Sequence, residues 1–217
     1  MSILLAIETS TLFSSIAVLN NSILLYTEFF ENLGNFSKKI LFIIQKFFKK
    51  NFLDLSFIDV IAIGIGPGSF TGIKIAFIIA QSFSFNKNIP IIPIVTFEAM
   101  SQFCFDNFKK KNILSIIDAN NNKFYWSQYK FINYNWVVVI NPVISSIFEI
   151  LPKGNVFFCG DKSFFKKKKK FSKIYFIKFL IEANPHAIQI ARLGYKKFKN
   201  KEYILNKNFF PIYLKNI

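Results

Sequence analysis

Between Gly64 and Lys74 the chain reads GIGPGSFTGIK, which holds four of its eight glycines, one proline and two hydroxyl side chains. Glycine-rich turns between a strand and a helix are where proteins hold phosphate, so the spacing decides what this one can do. A nucleotide P-loop needs G-x-x-x-x-G-K-[ST]. Gly66 and Gly72 are one residue too far apart for it, and Ile73 separates Gly72 from Lys74. A dinucleotide fingerprint needs G-x-G-x-x-G after the first strand of a βαβ unit. Here Ser69 stands where the third glycine belongs, and the loop follows about the fourth strand. What remains is a strand-to-helix turn, Gly66, Pro67, Gly68, Ser69, Phe70, Thr71 and Gly72. Pro67 sets one φ angle, the glycines permit conformations closed to other residues, and Ser69 or Thr71 caps the next helix. Its amides suit either an anion at the helix N-terminus or tight packing of two elements.

Other chemistry-bearing residues are few. His186 is the sole histidine, so a His-based triad or metal site has one candidate, and it sits beside an expected helix start as a surface or capping residue. Cys104 and Cys159 are isolated, without metal-ligand spacing, which fits a reduced, cytoplasmic chain with no disulfide framework. Glu8 closes the first expected strand, and Asp118 closes an equivalent one in the second half of the chain. Either acid faces a shared cleft or simply caps its own turn.

The elements that must position these residues are legible from periodicity. Strands are expected at Ile3–Glu8, Ser15–Leu19 and Ile23–Glu28, with a turn at Asn20–Ser22. An amphipathic helix follows from Ser37, read as N-cap, to Lys50, with Phe36, Ile40, Ile44, Phe47 and Phe48 on one face. Val60–Ile65 is a buried strand, Gly72–Phe85 a helix, Ile91–Val95 a strand and Thr96–Asn107 a helix. The order then restarts: a hairpin of Ile113–Asp118 and Lys123–Phe131 across Asn120–Asn122, a third strand at Trp136–Ile140, a short helix near Ser145–Leu151, and a strand at Val156–Cys159. The last helix is expected to start at Asn184 as N-cap with Pro185 first inside. The pattern predicts an α/β chain of two related halves, 1–108 and 109–217, the second shortened.

The chain has 217 residues, 52% of them hydrophobic, and a net charge of +16. That charge invites a nucleic-acid reading. However, 30 Phe with abundant Ile, Asn and Lys and a lone Arg192 is what an AT-rich genome over-supplies, and arginine is the residue suited to bidentate phosphate contacts. The Lys166–Lys170 run reads as a solvated loop or an RNA contact. No apolar run is long enough to cross a membrane, and the apolar start, interrupted by Glu8, is a strand and not a signal peptide.

LLAIETSTLFSSIAVL, GIGPGSFTGIKIAFIIAQ, IIDANNNKFYWSQY and FFPIYLKN, in that order, resemble the bacterial TsaB (YeaZ) family over nearly the whole chain. The resemblance implies an actin-like (Hsp70-like, ASKHA) fold with a truncated second half. It implies a part in making N6-threonylcarbamoyladenosine beside the tRNA anticodon, as non-catalytic partner of the paralogue TsaD, with the small ATPase TsaE joining them and tRNA met mainly indirectly. It implies no cofactor, and a homodimer when the partner is absent. Catalytic paralogues carry H-x-x-x-H on the helix after the fifth strand. Those positions fall here on Phe97 and Ser101 in VTFEAMS, and a benzene ring and a hydroxyl cannot replace two imidazoles. The paired glycines of an adenosine site are reduced to Gly160–Asp161 in VFFCGDK. Against the family pattern, Asp-Thr is Glu8–Thr9, the histidine opening the first helix is Phe36, and I-D-A-R-x-G-E is IDANNNK, with Asn120 for arginine and Asn122 for glycine.

The Gly72–Phe85 helix is apolar nearly all round, so it must be buried on more than one side. By the resemblance, it and the Ser37–Lys50 helix form a bundle with the same pair of TsaD, through Ile40, Ile44, Phe47, Ile73, Ala76, Phe77, Ile79 and Ala80. Burial within the chain alone is the competing reading. An actin-fold small-molecule kinase needs an intact adenosine site, and a metallopeptidase needs a histidine pair; these are the alternative functions.

Overall fold

β1 (Ile3–Glu8) is buried at every position because helices cover both faces of its sheet. The computed structural model describes residues 2–32, 36–51, 55–167, 171, 180–204, 210–212 and 214. β1 pairs antiparallel with β2 (Phe13–Asn20), which pairs antiparallel with β3 (Ile23–Glu31). On its other edge β1 pairs parallel with β4 (Ile58–Gly64), which pairs parallel with β5 (Ile91–Ile94). The second sheet repeats this plan with β6 (Asn112–Asp118), β7 (Lys123–Ile132), β8 (Asn135–Ser146), β9 (Phe157–Gly160) and β10 (Ile181–Glu182). The two orders, β3-β2-β1-β4-β5 and β10-β9-β6-β7-β8, are the same list read from opposite ends. This duplicated sheet is the actin-like plan expected from the sequence.

Strand alternation sorts side chains onto the two faces of the first sheet. Ile3, Leu5, Ile7, Ile16, Val18, Ile61 and Ile63 meet α1 (Phe36–Lys50) and α2 (Phe70–Lys87). Leu4, Ala6, Ala17, Leu19, Val60 and Ala62 meet α5 (Ala187–Lys199). Small residues are needed there: a Cβ on Gly194 of α5 would lie 2.5 Å from the Cβ of Ala62. α5, which follows the second sheet in the chain, thus packs on the first sheet, so the covalent division near residue 109 does not separate two packing units. α3 (Thr96–Phe108) sits between the halves, its Phe97, Met100 and Cys104 packing against Ile113, Ile117 and Cys159 of the second sheet.

Several expected boundaries move. β8 runs past Ile140 through Asn141 and Pro142 to Ser146; proline is tolerated because β8 is an edge strand. The expected short helix is a three-residue 3-10 turn, Ile147–Glu149, held by a capping box in which Ser146 N donates to Glu149 Oε2 at 2.7 Å. α1 begins at Phe36, so Ser37 lies inside its first turn and is not the cap. Residues 168–170 of the lysine run, and parts of the FFPIYLKN motif, lie outside the described residues.

Candidate functional site

The glycine loop is a packing junction. Ser69 caps α2, its Oγ accepting from Gly72 N at 3.3 Å, and Ser69 N donates to Ser10 O at 2.6 Å. Gly66 has a φ of +93°, and its carbonyl accepts from Thr96 N at 2.8 Å, tying the loop to the start of α3. Gly68 and Gly72 lie against the turn after β1: a Cβ on Gly68 would strike the Ser10 carbonyl, and one on Gly72 the Thr9 carbonyl. Thr9 Oγ1 in turn donates to Gly72 O at 2.7 Å. Beneath the loop, Ile212 N donates to Ile65 O at 2.9 Å. Both amides that bracket the capping turn, those of Ser69 and Gly72, are therefore engaged by the protein itself.

Glu8 and Asp118 occupy equivalent strand ends and make the same local bond. Ser10 N donates to Glu8 Oε1 at 2.6 Å, and Asn120 N to Asp118 Oδ1 at 3.1 Å, each two residues on. Their surroundings differ. Glu8 is sealed from solvent, a Cβ on Gly64 would collide with its carboxyl, and burial pushes its pKa up. Asp118 instead lines a cleft of about 520 Å³ between the halves and pairs with Lys167 at 2.5 Å. Ser10, Thr11, Ser69 and Thr71 line one wall of that cleft; Asp118, Asn120, Asp161 and Ser163 line the other. Asn120, Asn121 and Asn122 all have positive φ, which explains how the turn does without its glycine.

The glycine-poor segment of the second half is filled from within. A Cβ on Gly160 would lie 2.6 Å from the Phe164 ring, so this glycine admits a core side chain. Asp161, buried, accepts from Phe164 N (3.1 Å), Asp118 N (3.2 Å) and Ser163 N (3.3 Å), fastening α4 (Lys162–Lys167) to the end of β6. Phe97 and Ser101 are fully buried one turn apart on α3. Among the described residues no three His, Cys, Asp or Glu side chains converge as a metal site.

His186, not Asn184, caps the last helix. Its Nδ1 accepts from Ile188 N at 3.1 Å, and its ring stacks on Phe29 at 5.0 Å. Asn184 Oδ1 accepts instead from Lys162 N at 2.9 Å, and Pro185 precedes the helix. The signal for this was present: His186 stands immediately before the apolar period of Ala187, Ile190 and Ala191. The pocket missed in the sequence is a cavity of about 740 Å³ bounded by Tyr129, Trp136, Gln102 and Arg192. Its cations are committed internally, Arg192 to Asp106 at 2.5 Å, Lys197 to Glu98 at 3.2 Å, and Lys196 to Asn135 Oδ1 at 2.7 Å and the Tyr134 carbonyl.

Two groups, buried Asp161 and half-buried His186, titrate in opposite senses. Desolvation pushes Asp161 up to about 6, against the pull of its three N–H donors, so its favourable contribution is complete below about pH 4 and is lost as pH rises to about 6. Desolvation pushes His186 down to about 4, so its contribution is complete above about pH 6.5 and is lost as pH falls. Each is worth on the order of 3 kcal/mol, and they oppose one another over the same window. Asp161→Asn is expected to make thermal stability fall more steeply between pH 6.5 and pH 4.5 than in the wild type. His186→Asn, which keeps a cap, is expected to tilt the profile the other way. Melting curves at the two pH values check both; parallel shifts without a change of slope would contradict them.

The eight residues expected at a partner interface are mostly interior. Ile40, Ile44, Phe47, Ile73, Ala76, Ile79 and Ala80 are buried in this chain's own core, and Phe77 is half-buried. The physical reason is phase: these are the positions of α1 and α2 that face the sheet. The outer faces of the same helices carry Leu41, Phe42, Phe70, Ile78 and Phe85, all exposed.

Comparison with known proteins fits this geometry. The family model described as TsaD, tRNA N6-adenosine threonylcarbamoyltransferase, matches residues 32–215. The tRNA threonylcarbamoyladenosine biosynthesis protein TsaB of Haemophilus influenzae is 29% identical over 231 residues, covering 98% of this chain and 93% of that protein. The TsaB of Buchnera aphidicola subsp. Baizongia pistaciae is 33% identical over 153 residues, covering 69% of this chain and 68% of that protein. The crystal structure of YeaZ from Pseudomonas aeruginosa superposes with a TM-score of 0.83 at 21% identity, covering 99% of this chain and all (100%) of that one. With its duplicated sheet and its glycine junction, the chain belongs to the TsaB/YeaZ family, whose named members are tRNA threonylcarbamoyladenosine biosynthesis proteins.

Proposed function

We propose that this chain is a non-catalytic subunit of a cytoplasmic assembly that forms N6-threonylcarbamoyladenosine in tRNA, supporting a TsaD-like transferase alongside a TsaE-like ATPase. The observation that carries this reading is the fate of the two positions where catalytic paralogues place histidines. Phe97 packs among Met100, Cys104 and Ile117, and Ser101 is sealed beside it, so the site has been converted into core. The packing of Phe164 against Gly160 supports the same reading for the adenosine side. The outer faces of α1 and α2 are the surface offered to the transferase, through Leu41, Phe42 and Ile78 and not through the buried residues. None of the described helices is long and apolar enough to cross a membrane.

Reconstitution tests this. Transferase, ATPase and substrate tRNA are expected to form the modified base only when this chain is added, and the purified chain is expected to carry no stoichiometric zinc or iron and to hydrolyse no ATP. Bound metal, or ATP turnover that persists through further purification, would overturn the reading.

A further inference from the structure

The cavity between α3, α5 and the β7–β8 hairpin has no part in the function proposed above, and it lies at the end of the second sheet away from Asp118. Strand alternation builds its apolar wall. Tyr129 pairs with Val138 and Phe131 with Trp136 across the hairpin, so all four side chains fall on one face. Helical spacing supplies the other walls, with Glu98 and Gln102 four apart on α3 and Arg192 and Lys196 four apart on α5.

Polar ties hold these walls together. Trp136 Nε1 donates to Gln102 Oε1 at 2.9 Å, joining the hairpin to α3. Lys196 Nζ donates to Asn135 Oδ1 at 2.7 Å and to the Tyr134 carbonyl, joining it to α5. Arg192 and Lys197 pair with Asp106 and Glu98 and join the two helices. The frame is therefore preformed, and its volume of about 740 Å³ falls within the about 300–1,000 Å³ usual for small-ligand sites.

What these ties leave over defines the occupant. Trp136 and Tyr134, the latter 84% exposed at the hairpin tip, offer ring faces. Lys196 gives two of its three N–H groups to neutral oxygens and keeps its charge; among the described residues no carboxylate pairs with it. Glu98 Oε2 accepts from Lys197, while Glu98 Oε1 accepts from no described residue. The site thus matches a planar ring with an N–H donor on its edge and an anionic group attached.

We propose that this cavity binds one nucleotide with an amino-bearing base, as a free monophosphate or as an unpaired residue of RNA. The base stacks on the aromatic wall, its exocyclic amine donates to Glu98 Oε1, and its phosphate meets Lys196. Tyr129, 3% exposed, closes the floor, where burial and the Glu98 carboxylate keep its hydroxyl protonated. Beside the mouth, Phe131 N donates to the Lys111 carbonyl at 2.7 Å, so the exposed lysines 109–111 border the hairpin where an RNA strand would continue. The inference is independent of the non-catalytic reading, because binding is measured on the chain alone.

The test is isothermal titration calorimetry of the full chain at about 150 mM salt, where its general positive charge is well screened. AMP or CMP is expected to bind with a Kd of about 1 mM or tighter. The counterparts IMP and UMP, with a carbonyl in place of the amine, are expected to bind at least about tenfold more weakly. Glu98→Gln is expected to remove that preference. Lys196→Met is expected to weaken the monophosphate about tenfold and to leave the nucleoside, which has no phosphate, unchanged. Val138→Trp, which fills the cavity from an exposed position of the edge strand, is expected to abolish binding. Melting curves establish that each variant is folded, and because Lys196 and Val138 stand on separate walls, either variant alone can decide the site. A single-stranded pentanucleotide carrying the preferred base that binds about tenfold or more tightly than the monophosphate assigns the cavity to RNA; equal affinity assigns it to a free nucleotide. Failure of both AMP and CMP to bind, equal affinity for each and its deaminated counterpart, or binding that survives Val138→Trp and Lys196→Met would overturn the proposal.

Discussion

Ala76→Glu is expected to prevent the chain from folding, whereas Ile78→Asn, two residues along the same helix, is expected to leave it folded and unable to hold the transferase. Ala76 is fully buried in the cluster that joins α1 and α2 to the first sheet. A carboxylate there has no cation within the core and no water, and an unpaired buried charge costs about 3–5 kcal/mol. That is comparable with the whole stability of many domains, about 5–15 kcal/mol. Ile78 points the other way and is 58% exposed. Its replacement by asparagine removes apolar contact area from the outer face without opening a cavity. Circular dichroism separates the two outcomes, and size-exclusion chromatography with the transferase reads the second. A folded Ala76→Glu chain would mean that α2 is rotated relative to the sheet.

Gly72→Ala is expected to be the most damaging single-methyl change in the molecule. The added carbon falls on the Thr9 carbonyl, whose residue also donates its hydroxyl to Gly72 O. Backbone on both sides is fixed, by β1 on one and by the first turn of α2 on the other, so relief requires moving an element and not a side-chain rotation. Forced overpacking of this kind costs about 1–3 kcal/mol, and more where backbone is struck. Ser69→Ala removes only the cap, at about 1 kcal/mol or less. Thermal melts of the two variants order them. Equal losses would mean that the junction relaxes freely.

This contrast bears on what the sequence made legible. The first five strands and the glycine turn could be read from spacing, and the loss of both paralogue histidines at Phe97 and Ser101 from the family resemblance. Four strands of the second half followed from recognising the restart after Lys109–Asn112, whereas the two-residue β10 (Ile181–Glu182) is too short to carry a pattern. The direction of α2 could not be read, because a helix apolar on every side carries no phase, and Ile73, Ile78 and Ile79 look alike in a string. The interface was therefore assigned to residues that face the sheet. The end of β8 was hidden by Pro142, which reads as a breaker until the strand is known to lie on an edge. The cap of α5 was assigned to Asn184 by residue preference, but Asn184 is occupied with Lys162, and the imidazole two residues later does the capping. Asp161 looked like a lost glycine; only its three amide donors show it to be a fastening between β6 and α4.

The return of α5 to the first sheet has a consequence for synthesis. Leu4, Ala6, Ala17 and Ala62 have their apolar face closed by Ala187, Ile190 and Ala191, which leave the ribosome only after every strand of the second sheet. Until then a nascent chain holds five strands with one side covered and the other bare. Release of a chain truncated before residue 187 should therefore yield aggregation-prone material and not a smaller folded domain, since exposed apolar surface of this kind drives misassembly. A premature stop within α5 would remove the first half of the protein along with the second.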